Sequence, residues 1–312
     1  MATRNLGAGT RSMAAAGRVF LNRAVEQGEI AFATAHSVDL CWKKFARFAH
    51  SRAVRRIEHV TRALVLDFGR ELAVEVKRGD CAPGYAQRLV SGVNTILRLS
   101  GANWEPVKPV ADCQIPCRSH VRKSGPGGME AGTISIVIAA LQQVGLHRAA
   151  AVVILAWGFG LRSKEASLLD TVKALRAAEQ GGQFTLAAGT KGGRQRVIRV
   201  RHPYQMKLLE QVAAVQGSGR SIIPSELDWR QFRDDELMNA RPILKKHGVR
   251  HFHDLRAAYA CRRYQELTGH AAPVILGKVS AKGLDRATRL IISQELGHNR
   301  IEVSAAYVGG MS

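Results

Sequence analysis

"IISQELGHNRIEVSAAYVGG", residues Ile291–Gly310, decides how this chain is read. It places a Gly–His pair, a short polar turn, an amphipathic stretch and Tyr307 near the C-terminal end of 312 residues. Chain ends are usually frayed and tolerant of change, so a tyrosine at a set distance after a Gly–His turn asks for a reason. Three upstream stretches supply it: "GLRSKE" (Gly160–Glu165), "GTKGGRQR" (Gly189–Arg196) and "HFHDLRAAYA" (His251–Ala260). Their polar residues, with those of the terminal stretch, are Arg162, Lys191, His253, Arg256, His298 and Tyr307. Taken singly, each has an ordinary structural role open to it. Arg162 can snorkel at a helix end, Lys191 can occupy a hairpin tip, and Tyr307 can be a core aromatic with its hydroxyl at the rim.

Charge narrows the choice of partner. The chain has 46 Lys+Arg against 25 Asp+Glu, a net +21 and a pI near 10.5. Both halves share the excess, which points to a polyanion, with nucleic acid the favoured one. Five scattered cysteines argue against a disulfide framework and for a reducing compartment. Cys113, Cys117 and His120 ("CQIPCRSH") offer at most three zinc ligands and read as linker residues, so no metal or cofactor is expected. The apolar run Ala149–Leu161 falls short of the roughly 20 residues of a membrane span and reads as a buried helix. No acidic residue precedes Glu26, while Arg4, Arg11, Arg18 and Arg23 do. Residues 1–28 are therefore expected to be a flexible basic arm against DNA.

Along the chain, Val38, Cys41, Trp42, Phe45 and Ala49 recur at helical spacing, with Lys43, Lys44 and Arg47 on the opposite side. A second helix is expected over Thr61–Lys77, stopped by Gly79, and a third over Pro83–Leu99. Gln87, Arg88, Ser91, Asn94 and Arg98 form a polar face of the third that could enter a DNA groove or simply be solvated. Residues 105–128 are rich in Pro, Gly, Ser and basic residues and read as a linker. Two apolar helices follow, Ile134–Val144 and Arg148–Trp157, and another begins at Arg162. "QFTLAAGTKGGRQRVIRV" reads as a β-hairpin with Lys191 in its turn.

The six polar residues together suit one reaction. Transesterification of a DNA phosphodiester puts extra charge on two nonbridging oxygens, which two arginines can grip through forked hydrogen bonds without a metal. A tyrosine hydroxyl is a nucleophile that keeps a phosphodiester link for religation. A lysine on a mobile hairpin can protonate the departing 5′-oxygen, one histidine can take the tyrosine proton, and a second can hydrogen-bond the phosphate.

These stretches resemble the motifs of the tyrosine recombinase (phage integrase) family. "GLRSKEASLL" is similar to its first arginine box, "TKGGRQRVIRV" to its β-hairpin lysine and "HDLRAAYA" to its His-x-x-Arg box. "LGHNRIEVSAAY" is similar to its Gly–His turn and nucleophile, in wording closest to integrases of bacterial integrative elements and prophages. The resemblance implies a mainly α fold with a small β-hairpin. It implies a helical, SAM-like core DNA-binding domain over residues 29–104, the linker 105–128 and a catalytic domain over 129–312. Arg162, Arg256 and His298 would hold the phosphate, Lys191 would be general acid, His253 would assist proton transfer, Tyr307 would attack and Glu165 would support the site. Lys43, Lys44, Arg47, Gln87, Arg88, Ser91, Asn94, Arg98 and Arg194 are the expected DNA contacts. The implied partners are double-stranded DNA attachment sites, a homo-tetramer on DNA and accessory DNA-bending or directionality proteins, in the bacterial cytoplasm at the nucleoid. Three features depart from the family. Arg256 and His298 are unusually far apart, so residues 269–287 are expected to be a loop insertion. The arm before the first helix is short for a separate arm-type domain, and the tail after Tyr307 is short for a helix exchanged between protomers.

Other classes fit less well. A metal-dependent transposase or nuclease needs clustered carboxylates, and "RDDE" at Arg233–Glu236 reads as a solvated helix face. An inactive DNA-binding regulator descended from a recombinase, or a type IB topoisomerase with the same chemistry, remain the alternatives.

Overall fold

Two units divide the chain, Met1–Ser119 and His120–Ser312. The computed structural model describes residues 4–279 and 281–310, apart from the side chain of Lys191. In the first unit a single turn, α1 (Arg4–Gly7), precedes α2 (Met13–Glu26), α3 (Phe32–Ser51), α4 (Arg62–Arg78) and α5 (Pro83–Leu99). The hydroxyl of Thr61 accepts the Leu64 amide and starts α4, and Gly79 in the left-handed region ends it. Trp42, Phe45, Leu72, Leu89, Val93, Ile96 and Leu97 form the core. Glycine lets helices approach here: a Cβ on Gly17 would lie 2.2 Å from the Trp42 ring, and one on Gly69 2.3 Å from the Cys113 sulfur.

Two expectations for this unit need correction. Residues 13–26 are helix α2 and not part of a free arm. Met13, Ala16, Phe20, Leu21 and Ala24 are buried, and the Met13 carbonyl accepts the Trp42 indole N–H at 2.8 Å. Arg18 and Arg23 lie on the exposed face of the same helix, so the run of positive charge concealed an apolar stripe. The expected linker is likewise anchored at points, since Val107, Cys113 and Ile115 are buried in the core of this unit.

The second unit is built on α6 (Ala131–Gln143) and α7 (His147–Phe159). Helix α7 is apolar all round and buried from Ala149 to Phe159, so it must be enclosed. Helices α10 (Pro203–Gln216) and α13 (Phe252–Thr268) enclose it. Between α7 and α10 come α8 (Ser163–Leu168), α9 (Thr171–Gly181) and the antiparallel pair β1 (Gln183–Leu186) and β2 (Arg196–Arg199). After α10, α11 (Trp229–Phe232) runs through a π-helical turn, Arg233–Leu237, into α12 (Met238–Lys246). Beyond α13 lie α14 (Pro273–Leu276), α15 (Lys282–Glu295) and α16 (Ala305–Val308). Among the described residues no helix is long and apolar enough to cross a membrane.

The expected loop at 269–287 is partly helical. Pro273 opens α14, a position that needs no N–H donor, and α15 starts at Lys282. Its buried face sets Ile292 beside Asp285, Thr288, Arg289 and Ser293. Nor is "RDDE" wholly a solvated face. The Glu236 carboxylate accepts the Ala149 amide at 2.7 Å and caps the N-terminal end of α7.

Candidate active site

Helix α7 ends at Gly160, with φ at 67°, where a Cβ would also strike the Tyr259 ring at 2.6 Å. Only glycine suits both demands, and the turn it allows delivers Arg162 to the N-cap of α8. Glu165, in the first turn of α8, reaches back to accept the Arg162 amide at 2.8 Å and one Nη of its guanidinium at 2.5 Å. Glu165 is fully buried and is also gripped by Arg196 through two parallel bonds of 2.9 and 2.7 Å. Burial works to raise its pKa. The bonds and charge of Arg196, the charge of Arg256 and the Arg162 amide outweigh it and hold the carboxyl at about 2.

Arg256, on α13, is also fully buried. It donates to the carbonyls of Gly160 and Leu296, and so ties the end of α7 to the turn carrying His298. Burial depresses it, yet with Tyr307 and Glu165 beside it the pKa stays at about 10, so it is charged at neutral pH. Its Nε lies 3.3 Å from the Tyr307 hydroxyl, and its Nη2 lies 3.3 Å from His298 Nε2. Arg162 Nη2 approaches the same His298 nitrogen at 3.3 Å, and the Tyr307 hydroxyl is 2.9 Å from it. Two guanidiniums and a phenol therefore converge on one point. Burial and the charges of Arg256, Arg162 and Arg196 hold His298 down at about 3, so the imidazole is neutral. With donors on three sides, the assigned tautomer has Nε2 accepting and the proton on Nδ1.

His253, in the first turn of α13, places its ring 5.3 Å from that of Tyr307. One side of it is open to solvent. The protein around its other side and the charges of Arg256, His251, Arg122 and Arg162 depress it to about 4. Tyr307 is buried at 3% exposure. Lys191 lies in the connection between β1 and β2, and its side chain is outside the described residues.

Two partners of the site escaped sequence reading. Arg196 was passed over in favour of Arg194, which is exposed at the hairpin tip. The signal was there: Arg196 is two residues before buried Ile198 and pairs with buried Leu186, so period-two alternation turns it inward. Arg122 forms an ion pair with buried Asp254, next to His253, while its own amide donates to the Ala305 carbonyl at 2.9 Å. It thus joins the start of α13 to the start of α16, and nothing local in the sequence marks it.

In the first unit the expected DNA contacts separate. Lys43 pairs with Asp39 at 2.7 Å, Lys44 with Glu75 at 3.5 Å, and Arg98 with Glu29 at 3.7 Å. Lys43 and Arg47 line an open groove of about 720 Å³ with Arg11, His50 and Arg55. Arg88 lies over the Tyr85 ring, the Ser91 hydroxyl bonds back to the Gln87 carbonyl, and the Gln87 amide donates to Pro116. Asn94 is a correction. Its amide holds the Val107 carbonyl and amide and the Trp104 indole at 2.8–3.0 Å, so it is a structural clasp and not a groove reader.

Comparison with known proteins bears on the fold. The integrase family profile matches residues 127–262. A search of curated protein sequences finds no significant match. Among solved structures, a lambda integrase dimer bound to a COC′ core site matches 92% of this chain and 76% of its own at 16% identity, with a TM-score of 0.57. The Tn1549 transposon integrase in complex with transposon right-end DNA matches 95% of each chain at 10% identity, with a TM-score of 0.56. A lambda integrase tetramer bound to a Holliday junction matches 90% of this chain and 77% of its own at 15% identity, with a TM-score of 0.54. At these identities the likeness is one of fold.

Proposed function

We propose that this chain, whose residues 127–262 match the integrase family profile, is a tyrosine recombinase (phage integrase) that cleaves and rejoins DNA strands through a 3′-phosphotyrosine link, in the integration or excision of a mobile element. The observation that carries the reading is the meeting of Arg162, Arg256 and Tyr307 at His298 Nε2. A scissile phosphate entering there would take the arginine donors from the imidazole onto its two nonbridging oxygens. Both guanidiniums gain charge to stabilise as the pentacoordinate transition state forms. Glu165 and Arg196 keep the first of them aimed.

The histidines then follow from electrostatics. In the free protein the arginine field opposes an imidazolium, so His298 and His253 are weak bases. The bound phosphate anion cancels part of that field and raises their proton affinity. The two imidazoles thus become better proton acceptors once the phosphate is in place. Either histidine can take the proton: His298 is in direct hydrogen-bond contact, and His253 faces the ring. Lys191, by its hairpin position, is proposed as the acid for the 5′-oxygen. Lys43, Lys44, Arg47, Arg88, Arg98 and Arg194 are the proposed phosphate contacts beyond the scissile step. DNA attachment sites, a tetramer on DNA and accessory bending proteins complete the proposal.

Tyr307→Phe tests it. The variant should bind cognate DNA as the parent does but form no covalent adduct on a nicked suicide substrate. An adduct trapped by the Phe variant would remove Tyr307 from the reaction.

A further inference from the structure

We propose that Arg289 is a positioning residue for Tyr307: it holds the Ser304 side chain before α16 and the main chain after it, and so holds the nucleophile against its own phosphate pocket. The inference rests on the strand-cleavage role proposed above. Helix α16 has four residues, and a helix that short does not hold itself in water. Something outside it must decide where Tyr307 sits.

Arg289 meets that need. It is fully buried on α15 and belongs to none of the groups that converge on His298. A buried guanidinium is costly unless every donor is used. Its Nε donates to both oxygens of Asp285 at 2.9 and 2.8 Å, and the Tyr264 hydroxyl donates to Asp285 as well, at 2.8 Å. Asp285 and Tyr264 thereby orient the guanidinium, leaving its two terminal nitrogens for the segment around Tyr307. Nη1 reaches the Ser304 hydroxyl at 3.4 Å and the Gly309 carbonyl at 3.0 Å, while Nη2 reaches the Gly310 carbonyl at 2.8 Å. Ser304 and Gly309 are the caps at the two ends of α16. One buried cation therefore spans the nucleophile's helix from end to end.

The carboxyl side is held from a second direction. Gly309 has φ at 94°, and a Cβ there would meet the Val274 amide nitrogen at 2.7 Å. The chain after Tyr307 lies flush against the start of α14, where the arginine can hold it. A charge retained only to stabilise α15 would not need to spend its Nη donors on the backbone beyond Tyr307.

The test separates the nucleophile from the pocket. Single-turnover cleavage at saturating protein is measured for Arg289→Met and Arg289→Lys on the suicide substrate. The same substitutions in a Tyr307→Phe background are assayed with hydroperoxide, which attacks the held phosphorus in place of the phenol while the 5′-oxygen leaves. Arg289→Met should slow adduct formation by about 10²-fold, the effect of misplacing a reacting group by about an ångström. DNA affinity and hydroperoxide cleavage should be unchanged, and Lys should recover part of the loss by holding one carbonyl. Asp285→Asn, which keeps the arginine but loosens its orientation, should show the same split at smaller size, so the result does not hang on one variant folding. Equal losses in both reactions, or an unchanged adduct rate, would overturn the positioning role. Absence of hydroperoxide cleavage with Arg289 intact would instead count against the strand-cleavage reading on which the role depends.

Discussion

At the scale of single residues, the candidate site separates charges enclosed within the fold from charges partly open to solvent. Glu165 is fully buried and pairs with Arg196, Arg162 and Arg256. Removing one partner of a buried network strands the others, so Glu165→Ala should cost about 3–5 kcal/mol in urea unfolding. Arg162 is partly exposed, with 23% of its side chain open. Arg162→Ala should lower cleavage by roughly 10²–10³ through loss of one oxyanion donor, with a smaller effect on unfolding. Near-normal single-turnover cleavage would make Arg162 structural. The histidines set a pH dependence whose sign can be worked out. His298 and His253 are held at about 3 and about 4, below the ordinary value near 6.5. Between those values the unfolded chain binds more protons than the folded one, so stability falls as pH drops from about 6.5 toward about 4. Glu165, held at about 2, loses its contribution lower still. Melting midpoints across this range should drop steadily, and a His253→Asn, His298→Asn double variant should flatten the slope. An equal drop in the double variant would place the acid sensitivity elsewhere. Arg162, His253, Arg256, His298 and Tyr307, which the structure brings together, were legible because each sits in a short local pattern. Arg196 and Arg122 were not, because an inward arginine looks like any other basic residue until its partner is known.

At the scale of elements, most helices were legible from their apolar stripes, and α2 was not. Pro83–Leu99 is the helix its spacing indicates. By contrast α2 was hidden by its arginines, and the first turns of α15 fell within the expected loop. The hairpin is the element whose function is most open to a chemical test. If Lys191 protonates the leaving 5′-oxygen, its value depends on how poor that leaving group is. Lys191→Ala should be severely slow on ordinary DNA, because an alkoxide leaves badly without a proton. It should recover most of its rate when the bridging oxygen is replaced by sulfur, since a thiolate, with a thiol pKa near 8.5, leaves readily. Arg256→Ala should not recover, because charge on the phosphate still lacks its partner. Equal defects on both substrates would make Lys191 one phosphate contact among several.

At the scale of the whole molecule, the net charge of +21 is a property of both units and speaks to a polyanionic partner. If residues such as Arg47 and Arg194 meet phosphates, DNA affinity should fall by roughly 10³–10⁵ between about 50 and 200 mM salt, as for proteins displacing counterions from 6–10 phosphates. A flat dependence would show that the charge serves some other purpose. The amino-acid sequence by itself determined the candidate reacting groups, the helical class with its hairpin, and the cationic character. All three are written in local spacing and composition. Only the tertiary structure decided what surrounds those groups. Arg196 meets Glu165 across 31 residues, Arg122 meets Asp254 across 132, and Arg289 reaches the chain beyond Tyr307 across 20 and 21. Such meetings leave no period in the sequence. Their buried charges are tolerated only when every donor finds an acceptor, and which acceptor that is depends on how distant helices close on one another.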